Sequence, residues 1–186
     1  MGVIYPPIRQ WDFAGGALRA TLAGVRPAGS LCKESGAFWL GDRAAVARVT
    51  TVVLPSGDGV MESSGRWQVS AEVFGSISRW VTPRRLCLLG MAHTHMPGVP
   101  VRLSQTDRSH GVHVPGFLEI VIGNAGRDTD HRVWGWHVYE DGRYRRLLEP
   151  ELSVRISLAF EIRIDVWRAD AHGVYPGGTD EQPNVQ

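Results

Sequence analysis

The chain has 186 residues, 43% of them apolar and 21% charged, with a formal net charge of +1. That length suits one domain with a proper core, and the apolar share excludes a wholly disordered chain. The near-neutral balance argues against a protein that lives on nucleic acid, which would carry a basic excess. Of the 20 basic residues only Lys33 is a lysine, which reads as a codon bias of the source genome rather than a binding code.

No apolar run approaches the ~18 residues a membrane span needs. The longest, around Leu86–Met91 and Phe117–Ile122, are strand-sized. The start, Met1 to Pro7, lacks the charged and apolar regions of a signal peptide, and Pro6 makes it a poor myristoylation signal. Cys32 and Cys87 are too few for a disulfide framework or a cysteine zinc site. The expectation is a soluble, cytoplasmic protein with free thiols and no membrane partner.

In chain order, Leu18, Leu22 and Val25 lie at helical spacing before Pro27 and predict a helix over 13–26. Residues 37–54 read as strands with a Gly-Asp break, and 55–66 as a polar Gly- and Ser-rich loop. Val69, Val73, Ile77 and Trp80 mark one face of a second helix that stops before Pro83. Residues 85–95 read as a buried strand ending in a histidine pair. A Pro-Gly loop, 96–103, leads to a polar turn or short helix at 104–110. Strands follow at 117–123 and 133–139, and Asp141-Gly142 signals a hairpin into 143–148.

From Leu152 to Val166 apolar residues recur at every second position, which predicts one long strand, bent or shared. The favoured reading is two shorter strands, or a bent one, that close the domain's own core; the other is a strand that extends beyond the sheet and pairs with a second copy as a homodimer. Residues 169–186, rich in Gly and Pro, are expected to be a disordered tail after a single domain over 1–168. Helices interleaved with strands, then a strand-rich second half, predict a mixed α/β or α+β domain.

The stretch that carries chemistry is His93-Thr94-His95, a loop, and Ser104-Gln105-Thr106-Asp107. Histidines two apart on a strand share a face, so both imidazoles can reach one metal ion. Ser104 and Asp107, three apart, are neighbours on a helical turn. Asp107 can add a carboxylate as third ligand, which leaves the fourth position of a tetrahedral zinc open to water. Taken separately, the histidine pair can be incidental, and Ser-x-x-Asp can be a helix cap.

In this order the residues resemble the JAMM motif of the MPN-domain (JAB) metallopeptidases. The family also has an upstream glutamate, and Glu34-Ser35-Gly36-Ala37-Phe38-Trp39-Leu40-Gly41 is similar to its Glu-x-x-Gly-x-Leu-x-Gly segment. Val114-Pro115-Gly116-Phe117 before a strand, then a Trp-rich strand and an Asp-Gly turn, add to a likeness spanning roughly 13–150. The chain departs in two places. The loop from Met96 to Leu103 is one residue longer than usual, explained by an insertion at Met96, and Ala37 stands where the family often has Gly. Neither change removes a ligand.

The resemblance implies an MPN/JAB fold, a curved mixed β-sheet flanked by helices in a cytidine-deaminase-like arrangement. It implies Zn2+ as cofactor, held by His93, His95 and Asp107, with Glu34 as general base and then acid towards zinc-bound water, and Ser104 as oxyanion donor. It also implies an isopeptidase or peptidase that cleaves after the C-terminus of a ubiquitin or ubiquitin-like protein, acting beside activating and conjugating enzymes. The alternatives are a zinc peptidase that processes a sulfur-carrier protein, and a metal-free MPN scaffold. A zinc nucleoside deaminase is excluded because its Pro-Cys-x-x-Cys ligands are absent.

Other residues have plainer readings. Cys32 is expected to be a small buried residue, and His110 and His113 loop histidines facing solvent. Arg143, Arg145 and Arg146 are expected on a solvated strand edge, and Trp134 and Trp136 in the core.

Overall fold

The computed structural model describes residues 7–177, with the backbone alone for 160–163. It is a mixed α/β fold, a curled mixed sheet with helices around it. The expectations for the first six and last nine residues lie outside the described part. Among the described residues, no helix is long and apolar enough to cross a membrane.

The chain opens with β1 (Gln10–Gly15) and α1 (Ala17–Ser30). The predicted helix over 13–26 therefore starts too early and stops too soon. Trp11 and Phe13 alternate into the core, and Gly16, at φ 90°, supplies the left-handed residue that ends the strand and caps the helix. Pro27 lies inside α1 rather than after it. Pro27 and Ala23 are both exposed, so the carbonyl that loses its amide partner can turn to water.

Next come β2 (Gly36–Asp42) and β3 (Val46–Pro55), antiparallel to each other. Residues 36–41 are all buried because β2 is covered on both faces. Ala37 and Trp39 point into a core with Leu22 of α1, Phe13, Leu89 and Trp136, while Phe38 and Leu40 point to the opposite side. There they meet Val73 and Ile77 of α2 (Ala71–Val81), whose N-cap is Ser70. Between β3 and α2 the predicted polar loop is in fact a hairpin, β4 (Val60–Ser63) and β5 (Arg66–Val69), paired only with each other. Its alternation is too polar and too short to read as strand.

The sheet continues antiparallel from β2 to β6 (Cys87–Thr94), then parallel to β7 (Leu118–Ile122). The helix α3 (Gln105–His110) lies on the crossover. Antiparallel β8 (Gly135–Glu140) and β9 (Arg143–Arg146) complete that side. Asp141 and Gly142 both have positive φ, 50° and 76°, as the predicted two-residue hairpin requires.

The stretch 152–166 is two shorter strands, as the favoured reading has it, but its first residues are helix rather than strand. Pro150 near its start, Glu149 and Glu151 in the first turn, and an ion pair from Glu151 to Arg155 make α4 (Glu149–Arg155). Leu152 is buried but Val154 is 72% exposed, so the period of two breaks at once. Two strands follow: β10 (Ile156–Arg163), parallel to β1, and β11 (Asp165–Ala169), parallel to β3. Residues expected at the start of a tail form β12 (Val174–Pro176), antiparallel to β11. Ala169 is fully buried beside Val73 and Ile77, and Ser76 Oγ donates to the Ala171 carbonyl at 3.2 Å.

Candidate metal centre

His93 is the next-to-last residue of β6, and His95 lies just beyond the strand, its amide donating to the Ile122 carbonyl of β7 at 2.9 Å. Both rings are buried on one face, with their Nε2 atoms 3.3 Å apart. Asp107 Oδ2 lies 3.7 Å from each. His95 Nδ1 is 2.9 Å from the Pro100 carbonyl; a proton donated there leaves the Nε2 lone pair facing Asp107. Three lone-pair donors thus converge on one point, where only a proton or a cation relieves their repulsion. Ligand atoms about 2.1 Å from a tetrahedral zinc stand about 3.4 Å apart. The spacing here fits that ion, and these three residues form a group able to hold a metal.

The longer loop after His95 does not displace Asp107. Met96 accepts a turn hydrogen bond from Val99, and Ser104 then caps α3. The Ser104 amide donates to Asp107 Oδ2 at 2.7 Å, and the Asp107 amide donates to Ser104 Oγ at 3.1 Å. The capping role and the site role are therefore one arrangement. Ser104 Oγ is an acceptor in the cap, so its own proton stays free to donate. Burial opposes ionisation of Asp107, but hydrogen bonds with His93, His95 and Ser104 hold its carboxyl well below the usual carboxylate range. Burial also works against the charged form of His95, yet Asp107, the Pro100 carbonyl and Glu34 raise it above an ordinary histidine.

Glu34 precedes β2 and is buried. Its amide donates to the Ser63 carbonyl of the hairpin at 2.7 Å. Ser35 and Thr94 tie its segment to β6: the Thr94 amide donates to the Ser35 carbonyl at 2.9 Å and the Ser35 amide to Thr94 Oγ1 at 3.0 Å. The segment approaches so closely that a Cβ on Gly36 would lie 2.6 Å from the Ala92 carbonyl oxygen. Ala37, one position later, fits fully buried in the core. Burial raises the Glu34 carboxyl above its ordinary value, partly offset by the charges of His95 and His93.

Glu34, His93, His95, Ser104 and Asp107 all line one cavity of about 810 Å³. Its far wall is Trp67 of the hairpin and Phe74 of α2, both packed on Phe38 with ring centroids 5.6 and 5.1 Å away. His110 reaches this cavity while remaining exposed, and His113 stacks on Tyr139 at 5.0 Å. Cys32, expected to be buried, is exposed at φ 56°, where the chain turns out of α1. Trp134 and Trp136 are core residues, as expected. Arg145 is bound at 2.8 Å to Glu140 and 2.6 Å to Glu151 rather than simply solvated.

The cavity also holds a third acid, outside the predicted site. Glu119, on β7, is fully buried, and neither carboxyl oxygen has a hydrogen-bond partner. Burial pushes it up to about 7 against the opposing charge of His93. Its signal was there to read, a lone acid in the apolar run Phe117–Ile122.

The chain matches no protein-family model and no curated protein. Among solved structures it is similar to protein DSY2949 from Desulfitobacterium hafniense, with a TM-score of 0.59 and 16% identity. That likeness covers 82% of this chain and 95% of the other, and it concerns the fold alone. A JAB1/MPN domain protein, AF2198 from Archaeoglobus fulgidus, aligns with a TM-score of 0.41 and 14% identity over 78% of this chain and 98% of its own.

Proposed function

We propose that this chain is a zinc-dependent isopeptidase or peptidase of the JAMM type, acting after the C-terminus of a ubiquitin or ubiquitin-like protein. The observation that carries the reading is the meeting of His93, His95 and Asp107 at zinc spacing in the cavity that Glu34 and Ser104 also line. The order of these residues along the chain, which resembles the JAMM motif, supports the choice of reaction.

When bound, zinc would lower the pKa of a water towards ~7 and polarise a carbonyl oxygen. The chain's own residues do the rest. Glu34, raised by burial, is suited to take a proton from the attacking water and return it to the leaving nitrogen. The free hydroxyl proton of Ser104 is available to the oxygen on which negative charge develops. Phe38, Trp67 and Phe74 give one wall of the cavity an apolar surface for a chain lying across it.

The first test is zinc per chain by elemental analysis on protein purified without chelator. Wild type is expected to carry about one zinc and Asp107→Ala much less. Cleavage of fusions ending in diglycine is expected in wild type and lost in Glu34→Ala, which keeps its zinc. A folded wild type without zinc, or no cleavage of any diglycine tail, would overturn the reading.

A further inference from the structure

Among the described residues that line the cavity, Glu119 is the acid that the proposed mechanism does not use, and its carboxyl, like the indole nitrogen of Trp67, is buried without a hydrogen-bond partner. In the parallel pairing of β6 with β7, Glu119 is opposite Met91 and Val121 opposite His93. Paired residues share a face, so Glu119 enters the cavity on the side from which His93 does. It is fully buried and both oxygens are unpartnered. The Tyr144 hydroxyl lies beside the carboxyl and favours its charged form, while its 2.9 Å hydrogen bond goes to the Val112 carbonyl.

The neighbours make its position more demanding. The last turn of α3 closes over it at Gly111, where a Cβ would lie 2.7 Å from Glu119 Oε2 and 2.9 Å from the Asp107 carbonyl oxygen. Gly111 has an ordinary φ of −65°, so close approach rather than backbone freedom calls for glycine. The carboxyl therefore lies against the backbone at Gly111 and feels the charge of a second acid, Asp107. The basic side chains it senses are those of His93 and His113. A buried acid without a partner is among the costlier arrangements a fold can hold, unless a positive charge arrives that the protein alone does not supply.

We propose that Glu119 is the outer carboxylate of the metal centre, a negative charge on His93's side of the cavity that raises the affinity of the triad for a divalent cation. A dication held by two neutral imidazoles and Asp107 keeps one positive charge, and Glu119 neutralises it without becoming a ligand. This inference rests on the metal reading above and adds to it a residue that touches neither the ion nor the substrate.

The experiment is zinc affinity by competition with a chromophoric chelator on wild type, Glu119→Gln, Glu119→Met and Glu119→Asp, with the thermal midpoint of each measured after chelation. Loss of an outer-sphere partner typically weakens metal binding about 10- to 100-fold. Gln and Met are both expected in that range, and Asp, which keeps the charge, nearer to wild type. Metal-free Gln and Met variants are expected to be at least as stable as wild type, because the unpaired acid is gone. A residue that served only to hold the fold would move stability and leave affinity alone. The Gln and Met variants report independently, so misfolding of one does not remove the test. Affinities within twofold of wild type in the folded variants would overturn the role of Glu119 while leaving the metal centre intact. A wild type that binds no zinc would overturn both.

Discussion

At the scale of single residues, Glu119 and His137 show how two buried groups bend stability in opposite directions. Burial raises Glu119 to about 7, so the folded chain holds a proton that the unfolded chain has lost above its ordinary 4.5. Its contribution to stability therefore falls as pH rises through that window, by on the order of 3 kcal/mol in the metal-free protein. His137 is buried and lowered to about 4, and its contribution rises from there towards its ordinary 6.5. The wild-type profile mixes the two slopes, but Glu119→Gln removes only the first. With metal chelated, the melting temperature of Glu119→Gln is expected to pull ahead of wild type between pH 5 and pH 8. At about 2–4 °C per kcal/mol for a chain of this size, the gap should widen by roughly 5–10 °C. A gap that does not change with pH would show that the carboxyl keeps one protonation state throughout.

At the scale of elements, the site is a junction of three pieces that sequence separates widely: the segment before β2, the end of β6, and the cap of α3. The junction of the first two is Thr94. Its hydroxyl receives the Ser35 amide, and it is fully buried. Thr94→Val keeps the shape but strands that amide, at a cost of about 1–3 kcal/mol. Zinc content should stay near wild type, because His93 and His95 are untouched, whereas kcat should fall as Glu34 loses its anchorage. Equal loss of zinc and of turnover would mean that Thr94 supports the whole centre rather than the glutamate alone.

The meeting of His93, His95 and Asp107 was legible because two short-range rules suffice, a period of two on a strand and a spacing of three on a helical turn. The capping box that turns Asp107 towards the histidines reads from the same four residues. The hairpin over 60–69 was not legible, since its strands are short, polar and packed on one side only. Glu119 was passed over for a different reason. In the run Leu118–Ile122 it looks like an interruption of a buried strand, and only the register against β6 puts it on the face that His93 shares.

At the scale of the whole molecule, the last part of the chain braces β3 and α2. The pattern over 152–166 hid this, because a helix face and two strands together imitate one alternation. The strands β1 and β11 both lie parallel to β3, the first along Val46–Val49 and the second along Thr51–Pro55. Beyond β11 the chain turns back as β12, and the Ala171 carbonyl and Val174 side chain meet α2. The same helix carries Phe74, in the wall of the cavity. Ending the chain after Arg168 would therefore do more than trim a terminus. It removes the buried Ala169, the hydrogen bond that its carbonyl accepts from the Ser56 amide at 2.9 Å, and the β12 pairing. The loss should be on the order of 2 kcal/mol or more, a fall of about 4–8 °C in melting temperature. Zinc stoichiometry should be unchanged, since no ligand is near, but turnover of a tailed substrate should decline as α2 loosens. A truncated chain that melts and cleaves like the full one would show that α2 holds its place without the C-terminal brace.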